Sequence, residues 1–141
     1  MQFGITSATD FDIEEIIFLA KCFDLDVEEI SSRQFVVAKK KNKIIGFGRL
    51  REHSDCTEIA TVGVIKEKRH NGIGSAVVNE LIKRGPKEIY VLSVLHHFFS
   101  RLCFKEVKKI PAVFQKKIDF CKQYGFKEDE IFVMLNKKVT G

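Results

Sequence analysis

Arg69-His70-Asn71-Gly72-Ile73-Gly74-Ser75 stands between an apolar run at residues 59–65 and a stretch at residues 76–82 whose apolar positions have helical spacing. This order predicts a strand, a short basic loop with two glycines, and a helix. Backbone N–H groups in the first turn of a helix have no intrahelical partner, and the helix dipole adds partial positive charge there. The segment therefore predicts a phosphate-binding loop in which the glycines leave room for the anion.

Two common phosphate-binding motifs do not fit this loop. A P-loop needs Lys-Ser or Lys-Thr after its last glycine, but Gly74 is followed by Ser75-Ala76. A dinucleotide-binding fingerprint needs a third glycine at the position of Val77. The loop must therefore be of another kind.

Arg69-x-x-Gly72-x-Gly74 resembles the acetyl-coenzyme A signature of the GNAT superfamily of N-acetyltransferases, R/Q-x-x-G-x-G/A, whose loop binds the pyrophosphate of the cofactor. Residues 58–64 resemble the fourth strand of that family, and residues 98–104 resemble its F-Y-x-x-x-G-F segment. The stretch that follows, residues 104–121, is similar to amino-acid acetyltransferases of the N-acetylglutamate synthase type. The resemblance extends from about residue 43 to the end of the chain.

The resemblance implies an α/β (α+β) GNAT fold. Its central sheet would be mixed and mostly antiparallel, with six to seven strands, a splayed fourth and fifth strand pair, and about four flanking helices. The length of 141 residues suits one N-acetyltransferase domain over residues 1–141. At the N-terminus we expect a helix capped by Thr9 or Asp10, with Phe11 on its apolar face, and another helical turn at residues 26–30.

The implied cosubstrate is acetyl-CoA, and no metal is expected. Main-chain groups of the fourth strand would contact its pantetheine arm and polarise the acetyl carbonyl, and the glycine loop would hold its pyrophosphate. The cofactor-binding residues that the resemblance implies are Val62, Gly63, Val64, Arg69, His70, Asn71, Gly72, Ile73, Gly74 and Ser75.

Glu58 is the catalytic residue that the resemblance implies. A primary amine with a pKa of about 10.4 is ammonium at neutral pH, so acetyl transfer to it requires a base. Glu58 lies eleven residues before Arg69, the spacing of the fourth-strand glutamate in many GNAT enzymes. A solvated carboxylate at the start of a strand is the alternative interpretation.

Two positions depart from the F-Y-x-x-x-G-F pattern. Phe99 replaces the tyrosine that commonly protonates the departing thiolate, and Cys103 replaces the glycine. The departing thiolate must then be protonated by another side chain or by a water molecule, or it must leave without an acid. The other side chains considered are Ser93, His96, His97 and Ser100.

Arg49 and Arg51 are the candidate substrate-binding residues. They alternate onto one face of a predicted strand, where a guanidinium could bind a substrate carboxylate in bidentate fashion. A solvated strand edge is the alternative. The acceptor that we expect is a small-molecule amine, best an amino acid. A peptide or protein amine, a polyamine, or an acyl-CoA-binding protein with reduced catalysis are the alternatives.

The amino-acid composition narrows the partners and the cellular location that we expect. A formal charge of +5 favours anionic partners in general, but the lysines lack the interleaved aromatics of RNA-binding signatures, so we expect no nucleic-acid partner. The four cysteines have no zinc-like spacing, and no apolar run reaches the length of a membrane span. We expect a cytoplasmic monomer or homodimer with reduced thiols.

Overall fold

The structure, a computed structural model, describes residues 2–138 of the chain. It divides into two compact units. Unit 1 contains the residues up to Arg51 together with Ile59–Arg84, and unit 2 contains Glu52–Glu58 together with the residues from Gly85 onward. The prediction of one domain over residues 1–141 reaches beyond the described residues and stays a prediction.

Seven strands form one mixed sheet. In chain order they are β1 (Gly4–Ser7), β2 (Phe35–Lys40), β3 (Lys43–Glu52), β4 (Thr57–Val64), β5 (Glu88–Ser93), β6 (Phe104–Glu106) and β7 (Phe132–Lys137).

Four α-helices accompany the strands. They are α1 (Ile13–Cys22), α2 (Ile73–Arg84), α3 (His96–Ser100) and α4 (Ala112–Gln123). The predicted fold class, with its mixed sheet and four helices, is thereby confirmed. The splayed strand pair stays a prediction.

In unit 1 the strands follow the order β1-β2-β3-β4. The β2–β3 hairpin pairs Phe35 with Arg49 and turns at Lys41 and Asn42, which both have positive φ angles. Helix α1 buries Ile16 and Ala20, one turn apart, among the buried residues of β2 and β3. Helix α2 also turns an apolar stripe inward, and its buried members are Ile73, Val77, Val78 and Leu81.

In unit 2 the strands follow the order β5-β7-β6, and both pairs are antiparallel. Helix α4 packs Phe114 and Ile118 against Val133 of β7. Tyr90 of β5 borders the same cluster, which therefore forms the apolar support for α4.

Three local predictions near the N-terminal end are wrong. The N-cap position of α1 is Asp12 rather than Thr9 or Asp10, and the Asp12 side chain makes no capping bond to the helix, because its carboxylate turns back to accept hydrogen bonds from the Thr9 amide at 2.8 Å and the Thr9 hydroxyl at 3.0 Å. Phe11 then lies in the preceding turn, where it is 97% exposed, instead of on the apolar face. Residues 26–30 contain a turn but no helix.

Candidate functional site

Arg69 is fixed against the end of the strand that precedes the glycine loop. Its Nε donates to the carbonyl oxygen of Val64 at 2.9 Å, and its guanidinium lies 5.1 Å from the centre of the Phe23 ring. The Asn71 side chain donates to the carbonyl oxygens of Lys68 and Arg69, both at 3.2 Å. These contacts give the exposed basic loop a defined backbone path.

The path of the loop requires a glycine at position 72. Gly72 has a φ of +79°, a conformation that only glycine adopts without strain, and a Cβ atom there would meet no heavy atom within 4 Å. The first intrahelical bond of α2 runs from the Ala76 amide to the Gly72 carbonyl oxygen at 3.0 Å. The amides of residues 73–75 thus belong to the turn that lacks intrahelical acceptors, which fits a phosphate group.

Gly63 has a packing reason to be glycine. A Cβ atom there would lie 2.6 Å from Cζ of Phe47 and 3.1 Å from Cδ2 of Phe23. The positive φ of β4 falls two residues earlier, at Thr61, with a value of +54°. The β4 backbone is thus locally irregular at Thr61, and Val62 and Val64 are half-buried beside it.

The Glu58 carboxylate, on β4, is the centre of a buried charged cluster in unit 2. Only 3% of its side chain is exposed, and its Oε1 lies 2.8 Å from Nε2 of His53. The Lys117 ammonium donates to Oε1 at 2.8 Å and to Oε2 at 2.7 Å. Burial of a carboxylate is tolerable here because donors and a cation accompany it. We call Glu58, His53 and Lys117 the Glu58 cluster.

Two further ionisable side chains adjoin the Glu58 cluster. Burial, followed by the negative charges of Asp55 and Glu58, raises the pKa of the Cys56 thiol to about 11. Burial also raises the pKa of the Tyr90 hydroxyl. Both groups therefore stay neutral near pH 7, and neither supplies a thiolate or phenolate to the region.

Arg49 is the centre of a second buried cluster, in unit 1. Its side chain is 0% exposed, and its Nε donates to the Thr61 hydroxyl at 2.8 Å. Its other nitrogens donate to the side-chain oxygen of Gln34 at 3.0 Å and to the carbonyl oxygens of Glu28 at 3.0 Å and Asp26 at 3.2 Å. We call these residues the Arg49 cluster. Its contacts connect β3 and β4 to the segment between α1 and β2.

Arg51 faces the same segment as Arg49, in agreement with the predicted alternation. Its guanidinium lies 2.9 Å from the Asp26 carboxylate and 3.7 Å from the carboxylates of Glu28 and Glu29. The structure thus gives both arginines protein partners in the 26–34 segment. Binding of a substrate carboxylate by Arg49 and Arg51 stays a prediction.

Cys103 and Phe99, the two positions that depart from the F-Y-x-x-x-G-F pattern, have different environments in the structure. Cys103 has a φ of +67°, so it occupies a left-handed position that favours the glycine of the family pattern. Phe99 is 4% exposed, with its ring centre 4.9 Å from that of Phe98 and 5.4 Å from that of Phe104. It is a core residue here.

From the sequence alone, His53 is either a second base or a turn residue, and Lys117 belongs to a solvated helix face. A local signal existed for His53, because the His53 amide bonds to the Cys56 carbonyl oxygen at 2.8 Å and closes a tight turn immediately before Glu58. No local signal existed for Lys117, which lies 59 residues from Glu58 in the chain.

Within residues 2–138, no group of three or more His, Cys, Asp or Glu side chains is arranged to bind a metal ion. None of the helices in this part of the chain combines the length and apolar character needed to cross a membrane.

Comparisons with known proteins show the family of this chain. Residues 7–104 match the acetyltransferase (GNAT) family. An uncharacterized N-acetyltransferase of Chlorobaculum tepidum is 31% identical over 111 residues, which are 75% of this chain and 70% of that protein.

Two solved structures share the fold. N-acetylglutamate synthase of Neisseria gonorrhoeae, complexed with coenzyme A and N-acetyl-glutamate, superposes with a TM-score of 0.78 at 16% identity over 99% of this chain. The chain spans only 36% of that synthase. Rv2747 of Mycobacterium tuberculosis, also complexed with CoA, gives a TM-score of 0.74 at 22% identity over 96% of this chain and 99% of that protein.

Proposed function

Because the chain belongs to the acetyltransferase (GNAT) family, we propose that it transfers the acetyl group of acetyl-CoA to the primary amine of an amino acid, with Glu58 as the general base. The observation that carries the proposal is the Glu58 carboxylate, which is 3% exposed and holds a primary ammonium at 2.7 and 2.8 Å. An acceptor amine arrives as the same kind of cation and must lose a proton before it can attack.

The carboxylate has capacity for such a proton. An ionised carboxylate offers about four lone-pair sites, and His53 and Lys117 account for three contacts with Glu58. In the proposed reaction Glu58 takes the ammonium proton directly or through a water molecule. The neutral amine then attacks the thioester carbonyl, and the C–S bond breaks to release the thiolate.

The glycine loop supports the cosubstrate part of the proposal. Gly72 leaves open space at the start of α2, and the amides of residues 73–75 are suited to the pyrophosphate of CoA. In the proposal Arg69 adds positive charge beside it, and main-chain groups of Val62, Gly63 and Val64 face the pantetheine arm and the developing oxyanion.

The amino-acid acceptor is supported by a groove in unit 2 with a volume of about 590 Å³, lined by Asp55, Tyr90 and residues 106–111. The groove carries both signs of charge, on Asp55 and on Lys108 and Lys109, and a free amino acid also presents both signs. Tyr90 and His53 pack against the same Phe114 ring, at 5.9 and 6.5 Å between ring centres. The N-acetyl-glutamate bound by the Neisseria synthase is an acetylated amino acid, which is consistent with this class.

Release of free thiol from acetyl-CoA over a panel of amino acids, with mass spectrometry of the products, tests the proposal. We expect a product heavier by one acetyl group for at least one amino acid. Turnover only with polyamines or peptide amines would contradict the acceptor, and no uptake of acetyl-CoA would contradict the function as a whole.

A second candidate is an acyl-CoA-binding protein with reduced catalysis, which Phe99 favours. Phe99 is buried and has no proton to give to the thiolate. A thiol pKa of about 8.5 nevertheless makes the thiolate a tolerable leaving group without an acid. Calorimetry separates the candidates, because the second one predicts tight acetyl-CoA binding with no thiol release for any acceptor.

A further inference from the structure

The contacts of Glu58 do more than neutralise a buried charge. Its two partners approach from different elements, His53 from the turn before β4 and Lys117 from α4. One partner is an ammonium group, which can only donate hydrogen bonds, and the other is an imidazole, whose two ring nitrogens can each donate or accept. This pairing of a donor with a ring that can do both differs from a simple salt bridge.

We infer that Lys117 is the positioning residue for the Glu58 carboxylate and that His53 carries the proton from Glu58 to solvent. The inference rests on the proposed function of Glu58 and adds one residue, His53, to its proton path and one, Lys117, to its support.

Lys117 is suited to positioning because it contacts both carboxylate oxygens. Donation to Oε1 at 2.8 Å and to Oε2 at 2.7 Å fixes the rotation of the carboxylate about its last bond. The cation also stabilises the ionised form of a group that is only 3% exposed. Arginine at this position would retain the charge, whereas methionine would retain only the apolar stem.

His53 is suited to proton transfer because its ring is held in place yet reaches solvent. Its side chain is 12% exposed, its Nε2 lies 2.8 Å from Oε1 of Glu58, and its ring packs edge-on against Phe114 at 6.5 Å. The bond from the His53 amide to the Cys56 carbonyl oxygen fixes the backbone of the turn.

The proton balance of the path is closed. The acceptor ammonium loses an N–H bond as Glu58 gains an O–H bond. At rest the Nε2–H of a neutral His53 donates to the ionised carboxylate. After Glu58 is protonated, exchange with water moves the ring hydrogen to Nδ1, and the O–H bond then breaks as its proton forms a bond to Nε2. The Nδ1 proton leaves to water, which restores the starting tautomer.

The other ionisable groups that face His53 and Glu58 do not provide a path for this proton. Asp55 and Cys56 stand on the same turn, Tyr90 on β5 and Lys117 on α4. Cys56 and Tyr90 are neutral near pH 7 because burial raises the pKa of both. Among these groups, His53 and Lys117 touch Glu58, and only the imidazole of His53 has a second ring nitrogen through which a proton can pass on.

The test compares four variants in the amino-acid acetylation assay. They are His53→Gln, Lys117→Met, Lys117→Arg and the matched control Lys116→Met, which removes the neighbouring, exposed lysine of the same helix. We expect His53→Gln to lower kcat about 100-fold with the KM for acetyl-CoA unchanged, and added imidazole to restore part of the rate.

Lys117→Met should shift the acid limb of the pH–rate profile to higher pH, because the buried carboxylate loses the cation that stabilises its charge. Lys117→Arg should keep the wild-type limb, and Lys116→Met should keep both rate and profile. An unshifted acid limb in a folded Lys117→Met, or a wild-type rate in His53→Gln, would overturn the inference.

The proposed function and the roles of His53 and Lys117 can be contradicted separately. If the wild-type chain acetylates no amino acid, the proposed function fails before any variant is made. If the wild-type chain is active and Glu58→Gln is slow while both partner variants behave like the wild type, Glu58 remains the base and only the roles of His53 and Lys117 fall.

Discussion

The Arg49 cluster of unit 1 and the Glu58 cluster of unit 2 each bury a charge almost completely, at 0% and 3% exposure. Arg49 is surrounded by the carbonyl oxygens of Asp26 and Glu28, by side-chain oxygens of Gln34 and Thr61, and by the Asp26 carboxylate at 3.6 Å, and a guanidinium keeps its charge near neutral pH. Glu58 is surrounded by a histidine and a lysine, to which we assign proton transfer and positioning in the proposed reaction.

This difference shows that burial of a charge does not by itself mark a chemical site. The nature of the partners separates the two clusters. The oxygens around Arg49 hold a segment of the chain to the sheet, whereas in the proposed reaction Glu58 passes a proton to His53. The comparison predicts that variants of the first cluster change mainly stability and variants of the second change mainly rate.

The largest stability effect is expected for Arg49→Met. The change leaves the Asp26 and Glu28 carbonyl oxygens and the Thr61 hydroxyl without their guanidinium partner. We expect the free energy of unfolding to fall by about 3 kcal/mol, measured by urea denaturation.

The matched control for that variant is Arg51→Met, because Arg51 pairs with carboxylates that are 36% to 79% exposed. Its expected loss is about 1 kcal/mol. A fully stable Arg49→Met whose KM rises only for acidic amino acids would instead support the predicted substrate-binding role of Arg49.

The reactivity of Cys56 tests the burial and the charge around the Glu58 cluster. With its pKa raised to about 11 by burial and then by the charges of Asp55 and Glu58, the Cys56 thiol should react slowly with iodoacetamide at pH 8. Relative to an unperturbed thiol of pKa about 8.5, its thiolate fraction is lower by about two orders of magnitude.

Mass spectrometry of the labelled chain measures that reactivity. The exposed Cys22 and Cys103 should be labelled first. Replacement of Asp55 by Asn should speed labelling of Cys56, because one negative charge that raises its pKa is removed. Equal labelling of Cys56 and Cys22 would show that the region lacks the burial and charge described.

A smaller stability effect is expected for Gly63→Ala. The added methyl group would lie 2.6 Å from Cζ of the fully buried Phe47, so the aromatic packing must shift. We expect a loss of about 2 kcal/mol in the free energy of unfolding. Gly4→Ala is the control, since a Cβ atom at Gly4 meets no heavy atom within 4 Å. Equal stability of the two variants would contradict the packing.

Much of the fold could be predicted from local sequence signals. The apolar spacing of residues 76–82 predicts the helix that the structure shows as α2, and the sequence places Gly72 in the loop where the structure has a φ of +79°. The cap of α1 was missed because Thr9, Asp10 and Asp12 are all good capping residues, and only the three-dimensional turn decides between them.

The partners of the charged residues could not be predicted in the same way. Arg49 bonds to residues 21 and 23 positions away in the chain, and Lys117 is 59 positions from Glu58. Such pairs depend on tertiary packing, which cannot be read from the periodicity and spacing of residue types along the sequence. The strand face of Arg49 alone therefore predicts a substrate-binding role, whereas the structure surrounds its side chain with oxygens of the protein.

The central claim is that Glu58 is the base of an acetyl-CoA-dependent N-acetyltransferase. The most direct measurement is kcat of Glu58→Gln in amino-acid acetylation, together with calorimetric affinity for acetyl-CoA. The account predicts a fall in kcat of about 10²- to 10⁴-fold with unchanged cofactor affinity. An unchanged kcat in a folded Glu58→Gln variant would contradict it.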